Sequence, residues 1–345
     1  MGLLDEIYEQ PHVLRNWLAT QLPRVVEIAT AIRQRPVEFV YLAARGTSDH
    51  AGLYAQYLWG ALNGLAVASS APSLFTRYGA SPRLDKALVV GISQSGESPD
   101  VAAVVAEGRR QGALTLSITN VPASPVASTA EFSLDLAAGE ERAVAATKTY
   151  TTELLALAAL SAALRPASPA MDDLALVPPA VEAALGLEEQ VAAIASAHAG
   201  LERCVVLGRG LHYTTAQEWA LKLKELAYVF ADPYSAADFQ HGPIAIVEPG
   251  FPVFAVAPRG AVHADGLALL HRLRDDYGAE LFVLSDSDEA LRLGRAAVRL
   301  PPGLPEWLLP IVSIVPAQLY CLHLTRAKGH DPDAPRNIRK VTLTR

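Results

Sequence analysis

The chain repeats its own pattern of strand-like runs and glycine turns at a nearly constant distance. Most matched positions lie 164 residues apart, and one pair lies 166 apart. The matches are Arg45-Gly46 with Arg209-Gly210, Val89-Val90 with Val253-Phe254, Gly96 with Gly260, 134–136 with 298–300 and, at 166, Gly112-Ala113 with Gly278-Ala279. A constant distance across several element types is typical of a duplicated domain. The repeat predicts two domains of the same fold, over 28–165 and 190–326.

The segments around these domains have simpler compositions. We predict a helical segment over 1–27, a linker over 166–189 that begins with a stretch rich in Pro, Ala and Asp, and a tail over 327–345. Within the first domain, apolar runs rich in β-branched residues lie at 38–44, 87–92, 113–118 and 131–136. Such runs alternating with helical patterns are typical of a parallel sheet covered by helices on both faces, so the predicted fold class is α/β.

The composition excludes several classes of function. Of the 345 residues, 51% are hydrophobic, and the net charge of −7 argues against a nucleic-acid-binding surface. The two cysteines and nine histidines show no metal-ligand spacing, and the glycine motifs of nucleotide-binding loops are missing. Residues 1–10 lack the basic start of a secretory signal, and the apolar stretches 154–164 and 307–324 fit buried helices better than membrane spans. We therefore expect a cytoplasmic protein with no metal, no cofactor, and no nucleic-acid or membrane partner.

Hydroxyl groups are concentrated directly after the strand predicted at 87–92. Ser93, Gln94 and Ser95 follow the strand, and Ser98-Pro99 has the sequence of a helix start, with serine as N-cap and proline at the first helical position. Hydroxyls, an amide and backbone N–H groups at a helix N-terminus form an uncharged cradle for a phosphate. An ordinary capped turn is the alternative, but the carboxyl end of a parallel strand is where such sheets bind ligands.

Two comparisons extend this prediction. Thr47 and Ser48 close the strand at 38–44, and they would lie beside the serine loop if the two strands are neighbours. In the second half the equivalent loop is 257–260, Ala-Pro-Arg-Gly, which lacks the hydroxyls. We therefore expect one phosphate site in each chain.

Three candidate catalytic residues share one predicted helix. Glu218, Lys222 and Glu225 are spaced i, i+4 and i+7, which places them on one helical face. A carboxylate base oriented by a lysine and a solvated ion-pair face both fit this spacing, and the spacing does not decide between them.

Two further candidates lie outside regular elements. His241 is in a turn before the strand at 253, where a lone histidine is usually structural or exposed. Lys340 ends a tail whose prolines indicate an extended segment, and it is either part of a frayed terminus or a group that reaches back over a site.

Taken in order, five motifs resemble the sugar isomerase (SIS) family, and most closely the isomerase half of the glucosamine-6-phosphate synthases. The motifs are EIYEQP from Glu6, RGTSDHAG from Arg45, GISQSGES from Gly91, LGRG followed by ALKLKEL from Leu207, and HGP with the terminal DPDAPRNIRK from His241. The resemblance covers nearly the whole chain. It implies two flavodoxin-like domains, each a five-stranded parallel sheet between helices.

The resemblance also implies roles for individual residues. Ser93, Gln94, Ser95 and Ser98 match the family's phosphate loop. Thr47 and Ser48 match residues beside the sugar, and the backbone of Val144 and Ala145 matches a segment lining it. Glu225 matches the base that moves a proton next to the anomeric centre, and Glu218 and Lys222 match its helical neighbours. His241 matches a ring-opening histidine that the partner subunit supplies, and Lys340 matches a tail lysine that contacts the open-chain sugar over the active site.

The departures from the synthases shape the expected reaction. The synthases begin with a Cys-dependent glutaminase domain, whereas residue 2 here is Gly, and we expect no such domain before the repeat. Trp219, Arg45 and Ala146 stand where the synthases have glycine, cysteine and serine. We therefore expect a phosphosugar isomerase, in particular a glucosamine-6-phosphate deaminase that forms fructose 6-phosphate and ammonia without a cofactor.

Two alternatives stay open at the level of sequence. One is a deglycase of a phosphorylated sugar–amine adduct such as fructoselysine 6-phosphate, which a wide pocket beside Trp219 would favour. The other is a phosphosugar-sensing module without catalysis, against which Glu225, His241 and Lys340 argue. Because the resemblance places His241 in the neighbouring chain's site, we expect a homodimer.

Overall fold

The computed structural model describes residues 2–165 and 170–340, so residues 166–169 of the predicted linker and residues 341–345 of the predicted tail lie outside the described residues. The elements of the first half are α1 (Leu3–Arg33), β1 (Phe39–Ala43), α2 (Thr47–Asn63), β2 (Ala66–Ser69), α3 (Ser73–Thr76), β3 (Ala87–Ile92), α4 (Pro99–Arg110), β4 (Leu114–Thr119), α5 (Pro125–Thr129), β5 (Phe132–Asp135) and α6 (Lys148–Leu164). Those of the second half are α7 (Ala170–Asp173), α8 (Val177–Leu185), α9 (Glu188–Ala197), β6 (Arg203–Gly208), α10 (Tyr213–Leu226), β7 (Phe230–Ser235), α11 (Ala236–Phe239), β8 (Pro252–Val256), α12 (His263–Asp275), β9 (Glu280–Ser285), α13 (Asp288–Leu293), β10 (Ala296–Arg299) and α14 (Leu309–Ala327).

These elements form two compact units. The first unit contains 9–142, 146–165, 170–176 and 339–340, and the second contains 2–8, 143–145 and 177–338. Lys340 therefore belongs to the first unit, although it is at the other end of the chain.

The first unit is built on a parallel five-stranded sheet with the order β2-β1-β3-β4-β5. β3 and β4 are buried along their whole length, as expected for strands covered on both faces. α2 packs against α6, and α4 packs against α5 and β3. α6 is buried on nearly every side, which explains its almost continuous apolar sequence.

The second unit repeats this topology. Its sheet has the order β10-β9-β8-β6-β7 and is also parallel, so each sheet has the strand order of the flavodoxin-like fold. The offsets of the sequence repeat hold in three dimensions: β1 and β6 start 164 residues apart, and β4 and β9 start 166 apart. The predicted fold, two α/β domains with helix-covered parallel sheets, is confirmed.

The edge strands β2 and β7 are absent from the sequence prediction. β2 has four residues, of which three are exposed, so no apolar run marks it. β7 contains Asp232 and Pro233, residues that are rare in central strands and tolerated at a sheet edge. These two edge strands therefore lack the continuous apolar run that marks a strand covered on both faces.

The long apolar helix near the end of the chain is a core element of the second unit. Among the described residues, one helical stretch, Glu306–Ala327, is long and apolar enough to cross a bilayer, but 94% of its most apolar part is buried within the protein. α14, which makes up most of it, packs against α8, α9 and α10. This packing accounts for its composition.

Candidate active site

The serine loop follows β3 at the carboxyl end of the first sheet. β1 and β3 are hydrogen-bonded neighbours, with Ala43 paired to Gly91, so the loops that follow the two strands emerge side by side. The condition set for the predicted adjacency of Thr47 and Ser48 with Ser93, that the two strands are neighbours, is therefore met.

The serine loop is held in shape by its own hydroxyls. Ser93 is buried, and its Oγ accepts a hydrogen bond from the Gly96 N–H at 3.1 Å and lies 3.2 Å from Ser98 Oγ. Gly96 has a φ of +66°, and a Cβ there would come within 2.0 Å of Ser124 Oγ. Only glycine satisfies both conditions, so this position fixes the turn. Gln94 and Ser95 are half-buried on the same loop.

Ser98 occupies the predicted N-cap position of α4, with Pro99 as the first helical residue. Its hydroxyl makes no capping hydrogen bond, in contrast to the sequence prediction, because it is turned toward Ser93. The Ser98 side chain therefore does not satisfy the first N–H groups of α4, and one of these groups, the Val101 N–H, donates to Asp100 Oδ1 at 2.9 Å. A helix N-terminus directly after the serine loop is suited to hold an anion.

The residues that follow β1 have two different surroundings. The Ser48 hydroxyl is buried and donates to Glu153 Oε1 at 2.8 Å, so it faces the interior of the first unit. Thr47, at the start of α2, is half-buried. Arg45 is half-exposed, and its Nε donates to Asp100 Oδ2 at 2.6 Å. This pair joins the loop after β1 to the first turn of α4.

Lys340 binds a buried carboxylate that the sequence analysis did not identify. Its Nζ lies 2.6 Å from Glu141 Oε2, and the Glu141 side chain is fully buried. Glu141 also accepts hydrogen bonds from the backbone N–H groups of Thr147 at 2.9 Å and Thr149 at 3.1 Å, and from the Thr149 hydroxyl at 2.8 Å. One carboxylate thus caps α6 and anchors the end of the tail. The Glu141–Lys340 contact spans 199 residues, so no local pattern indicates it.

The EIYEQP motif supports the segment between β5 and α6. In the second unit, both Glu6 oxygens accept the Ala143 N–H, at 3.2 and 3.3 Å. In the first unit, Glu9 pairs with the buried Lys148 at 2.5 Å, and Gln10 accepts from Thr151. Next to Ala143, Val144 is half-buried and Ala145 is buried.

The three residues predicted to share a face of α10 are in contact with one another. Lys222 Nζ lies 2.6 Å from Glu225 Oε2 and 3.2 Å from Glu218 Oε1. Glu218 and Lys222 are buried, whereas the Glu225 side chain is 24% exposed. Burial by itself would lower the pKa of Lys222, but the two carboxylates outweigh it, and the pKa of Lys222 is raised above its usual value. Glu225 is therefore the accessible carboxylate of this cluster, and the buried, charged Lys222 and Glu218 lie behind it.

His241 is exposed on the second unit. It lies in the turn after α11, and its backbone N–H donates to the Asp238 carbonyl at 3.0 Å. Its side chain is open to solvent and to any neighbouring molecule.

Trp219 points away from the accessible face of α10. It is fully buried and packs against Phe254, Phe282 and Tyr320, with ring centroids 5.1 to 5.8 Å apart. The tryptophan is therefore part of the core of the second unit and does not line an open pocket.

Potential metal ligands in the described ranges, 2–165 and 170–340, are scattered. Those ranges contain no group of three or more His, Cys, Asp or Glu side chains placed to hold a metal ion. Cys204 and Cys321 are both buried as free thiols, and burial raises the pKa of each well above the usual value.

Comparison with known proteins places these features in context. The profile of the SIS domain matches residues 35–163 and 199–325, one match in each unit. The glutamine–fructose-6-phosphate aminotransferase (isomerizing) of Methanothermobacter thermautotrophicus is 37% identical over 98% of this chain, and that of Aquifex aeolicus is 35% identical over 98%. The chain spans only 56% and 57% of the length of these two relatives.

Solved structures show the same architecture. A protein of Silicibacter pomeroyi assigned as a phosphosugar isomerase has a TM-score of 0.85 and 34% identity, with coverage of 96% of this chain and 100% of its own. The C-terminal domain of glucosamine-fructose-6-phosphate aminotransferase from Francisella tularensis has a TM-score of 0.85 and 28% identity, with coverage of 96% and 97%. A glucosamine-6-phosphate deaminase of Thermotoga maritima shares the fold at 20% identity, with a TM-score of 0.78 over the full length of both chains.

Proposed function

The chain belongs to the SIS domain family, and we propose that it is a phosphosugar isomerase acting on an amino-sugar phosphate. The names of the relatives support the substrate class, since they are aminotransferases of fructose 6-phosphate and an assigned phosphosugar isomerase. The specific reaction that we propose is the conversion of glucosamine 6-phosphate and water to fructose 6-phosphate and ammonia.

The observation that carries this proposal is the Glu218–Lys222–Glu225 cluster. An enzyme that moves a proton between adjacent carbons needs a carboxylate that is reachable yet fixed in position. Glu225 is partly exposed, and Lys222 holds its Oε2 at 2.6 Å. A module that only senses a phosphosugar would need the phosphate loop but not this cluster.

The proposed steps assign a separate task to each candidate residue. The serine loop and the start of α4 hold the 6-phosphate through hydroxyl and N–H donors. His241 transfers the proton that opens the sugar ring. Glu225 removes the proton from C2 of the open-chain aldehyde and returns a proton to C1. O1 gains a proton and the C2 amine loses one, so that C1 becomes a CH2OH group and C2 an imine. Water adds to the imine, and ammonia departs as fructose 6-phosphate forms.

We propose that Lys340 acts as a charged contact to the open-chain sugar. In the structure its ammonium group is paired with the Glu141 carboxylate at 2.6 Å, which suits a hydrogen-bond donor better than a nucleophile. Glu218 serves as the second carboxylate that keeps Lys222 in place.

We propose that the protein works as a homodimer in which His241 serves the partner's site. The exposure of His241 is compatible with this role. The test is subunit complementation between Glu225→Gln and His241→Ala, each inactive on its own. In a one-to-one mixture of exchanging dimers, about a quarter of the sites would contain both native residues, so about a quarter of the wild-type activity should return. A mixture that stays inactive after proven subunit exchange would exclude a shared site.

The sugar–amine adduct reaction has no specific support. Within the described part of the chain, the Trp219 indole is packed among aromatic rings in the core, so it does not line the wide pocket that would favour this reaction. Phosphorylated sugar–amine adducts therefore serve as comparison substrates in the activity assay.

The experiment that tests the proposed function is a coupled assay on glucosamine 6-phosphate without glutamine. We expect stoichiometric fructose 6-phosphate and ammonia, with turnover in the ordinary range of about 1–1000 s⁻¹. Activity only on a phosphorylated sugar–amine adduct would assign the deglycase reaction, and binding of both substrates without turnover would assign a sensor. Either result would overturn the proposal.

A further inference from the structure

The Arg45–Asp100 ion pair lies at the edge of the serine loop and has no role in the steps above. Asp100 is buried in the first turn of α4, directly after Ser98 and Pro99. Arg45 follows β1, the strand next to β3, and its side chain is 50% exposed. A guanidinium group has five N–H donors, of which the Asp100 contact at 2.6 Å uses the one on Nε, so this side chain can bind two oxyanions at once.

The second unit contains the same pair at the matching place. Arg209 follows β6 as Arg45 follows β1, and its Nη2 lies 3.0 Å from Asp265 Oδ2. Asp265 is in the first turn of α12, the helix that corresponds to α4. Each domain therefore joins the loop after its first strand to the helix after its third strand through an arginine and an aspartate.

The two domains differ in what lies on the loop between these elements. In the second unit, Glu306 Oε2 accepts the Ala261 N–H at 2.8 Å, and a Cβ on Gly260 would lie only 2.4 Å from Glu306 Oε1. This loop thus holds an anion from its own chain. In the first unit, the matching N–H belongs to Glu97 and donates to the Ser95 hydroxyl at 3.3 Å. The carboxylate of one domain is replaced by hydroxyls in the other.

From this comparison we propose that Arg45 is a phosphate-binding residue, which supplies the positive charge that the serine loop itself lacks. The proposal deepens the proposed function, because it concerns the same phosphate site. In the second unit, the loop beside the Arg209–Asp265 pair is occupied by the Glu306 carboxylate of the same chain. In the first unit, we propose that the loop beside the Arg45–Asp100 pair binds an external phosphate. Asp100 orients the Arg45 side chain and partly neutralises its positive charge.

The test is calorimetric titration of the purified full chain with inorganic phosphate, which needs no turnover. Ser93→Ala maps the binding to the serine loop. We expect Arg45→Ala to weaken phosphate binding about tenfold, as for loss of one hydrogen bond to a charged group, and Arg45→Lys to recover part of it. Arg209→Ala removes the matching arginine in the other domain and should leave phosphate affinity unchanged.

The Asp100→Asn variant distinguishes two roles of Arg45. In one, the Arg45 charge binds the phosphate; in the other, the Arg45–Asp100 pair only holds α4 in position. If Arg45 binds the phosphate, this variant keeps the cation, removes a competing carboxylate, and binds phosphate at least as tightly as the wild type. If the pair serves only to hold α4 in place, Asp100→Asn and Arg45→Ala weaken binding equally. Should Asp100→Asn fail to fold, the comparison of Arg45→Ala with Arg209→Ala still decides the question.

Steady-state kinetics provide the second measurement. In Arg45→Ala, KM for glucosamine 6-phosphate should rise by the same factor as the phosphate Kd, while kcat stays within about twofold, because binding of the phosphate is lost uniformly. Unchanged phosphate affinity in Arg45→Ala, equal losses in Arg45→Ala and Arg209→Ala, or no phosphate binding by the wild type would each overturn the inference. Arg45-dependent phosphate binding without any turnover of the sugar would instead uphold the inference and count against the proposed function alone.

Discussion

Replacement of Lys222 by methionine should strongly destabilise the second unit. Lys222 is buried between Glu218 at 3.2 Å and Glu225 at 2.6 Å, and Glu218 is itself fully buried. Without the ammonium group, the buried Glu218 carboxylate loses the positive charge that lies 3.2 Å from it. Removal of one partner from a buried ion pair costs about 3–5 kcal/mol. At about 2–4 °C per kcal/mol for a domain of this size, the melting temperature should fall by about 10 °C.

The assay is differential scanning calorimetry of the wild type, Lys222→Met and the double variant Lys222→Met/Glu218→Gln. The double variant should be more stable than Lys222→Met, because its second substitution removes the buried negative charge. The deficit of Lys222→Met should also be larger at pH 8 than at pH 5, since loss of the nearby ammonium group favours protonation of a buried carboxylate at the lower pH. A melting temperature for Lys222→Met within about 2 °C of the wild type would refute this account of the cluster.

Three further predictions follow from the geometry. Gly96→Ala should abolish phosphate binding, because the φ of +66° at this position is strained for alanine and the new Cβ would lie 2.0 Å from Ser124 Oγ. Titration with inorganic phosphate measures the affinity, and an unchanged affinity would contradict the prediction. Glu141→Gln should weaken the contacts to Lys340 and to the start of α6, so that a protease cleaves the tail faster. An unchanged cleavage rate would show that the Glu141–Lys340 ion pair does not anchor the tail. His212 is buried, and burial lowers its pKa to about 4, so between pH 6.5 and 4 the unfolded chain binds a proton that the folded chain does not. Stability should therefore fall by up to about 3 kcal/mol as pH falls through that window, and urea unfolding of His212→Asn should show a flatter pH dependence than the wild type; identical slopes would count against the assignment.

The fold could be predicted because the strongest signals are local and occur twice. The run predicted at 87–92 is β3 residue for residue, and the other three predicted strands of the first domain match β1, β4 and β5 to within two residues at each end. Buried parallel strands must be apolar along their whole length, so they leave a continuous pattern. β2 is mostly exposed and β7 contains Asp232 and Pro233, so neither strand has such a run, and the sequence does not indicate them.

The candidate site was predictable where one element carries it. The spacing of Glu218, Lys222 and Glu225 indicates a shared helical face, and the three side chains meet there. The Glu141–Lys340 pair joins residues 199 positions apart, so it is determined by tertiary structure alone. The Ser98 hydroxyl shows a further limit of the sequence, because the N-cap position is encoded locally but the direction of the hydroxyl depends on Ser93.

Isotope transfer during turnover tests the central claim, an amino-sugar phosphate isomerase with Glu225 as its base, most directly. The wild type and Glu225→Gln are given glucosamine 6-phosphate in deuterated water, and the fructose 6-phosphate formed is examined by NMR for deuterium at C1. The account predicts that the wild type forms product carrying solvent deuterium at C1, because the proton taken from C2 exchanges on the carboxylate before a proton returns. Glu225→Gln should retain its fold and lose at least about a hundredfold in turnover. Near-normal turnover in Glu225→Gln, or a wild type that forms no fructose 6-phosphate, would contradict the account.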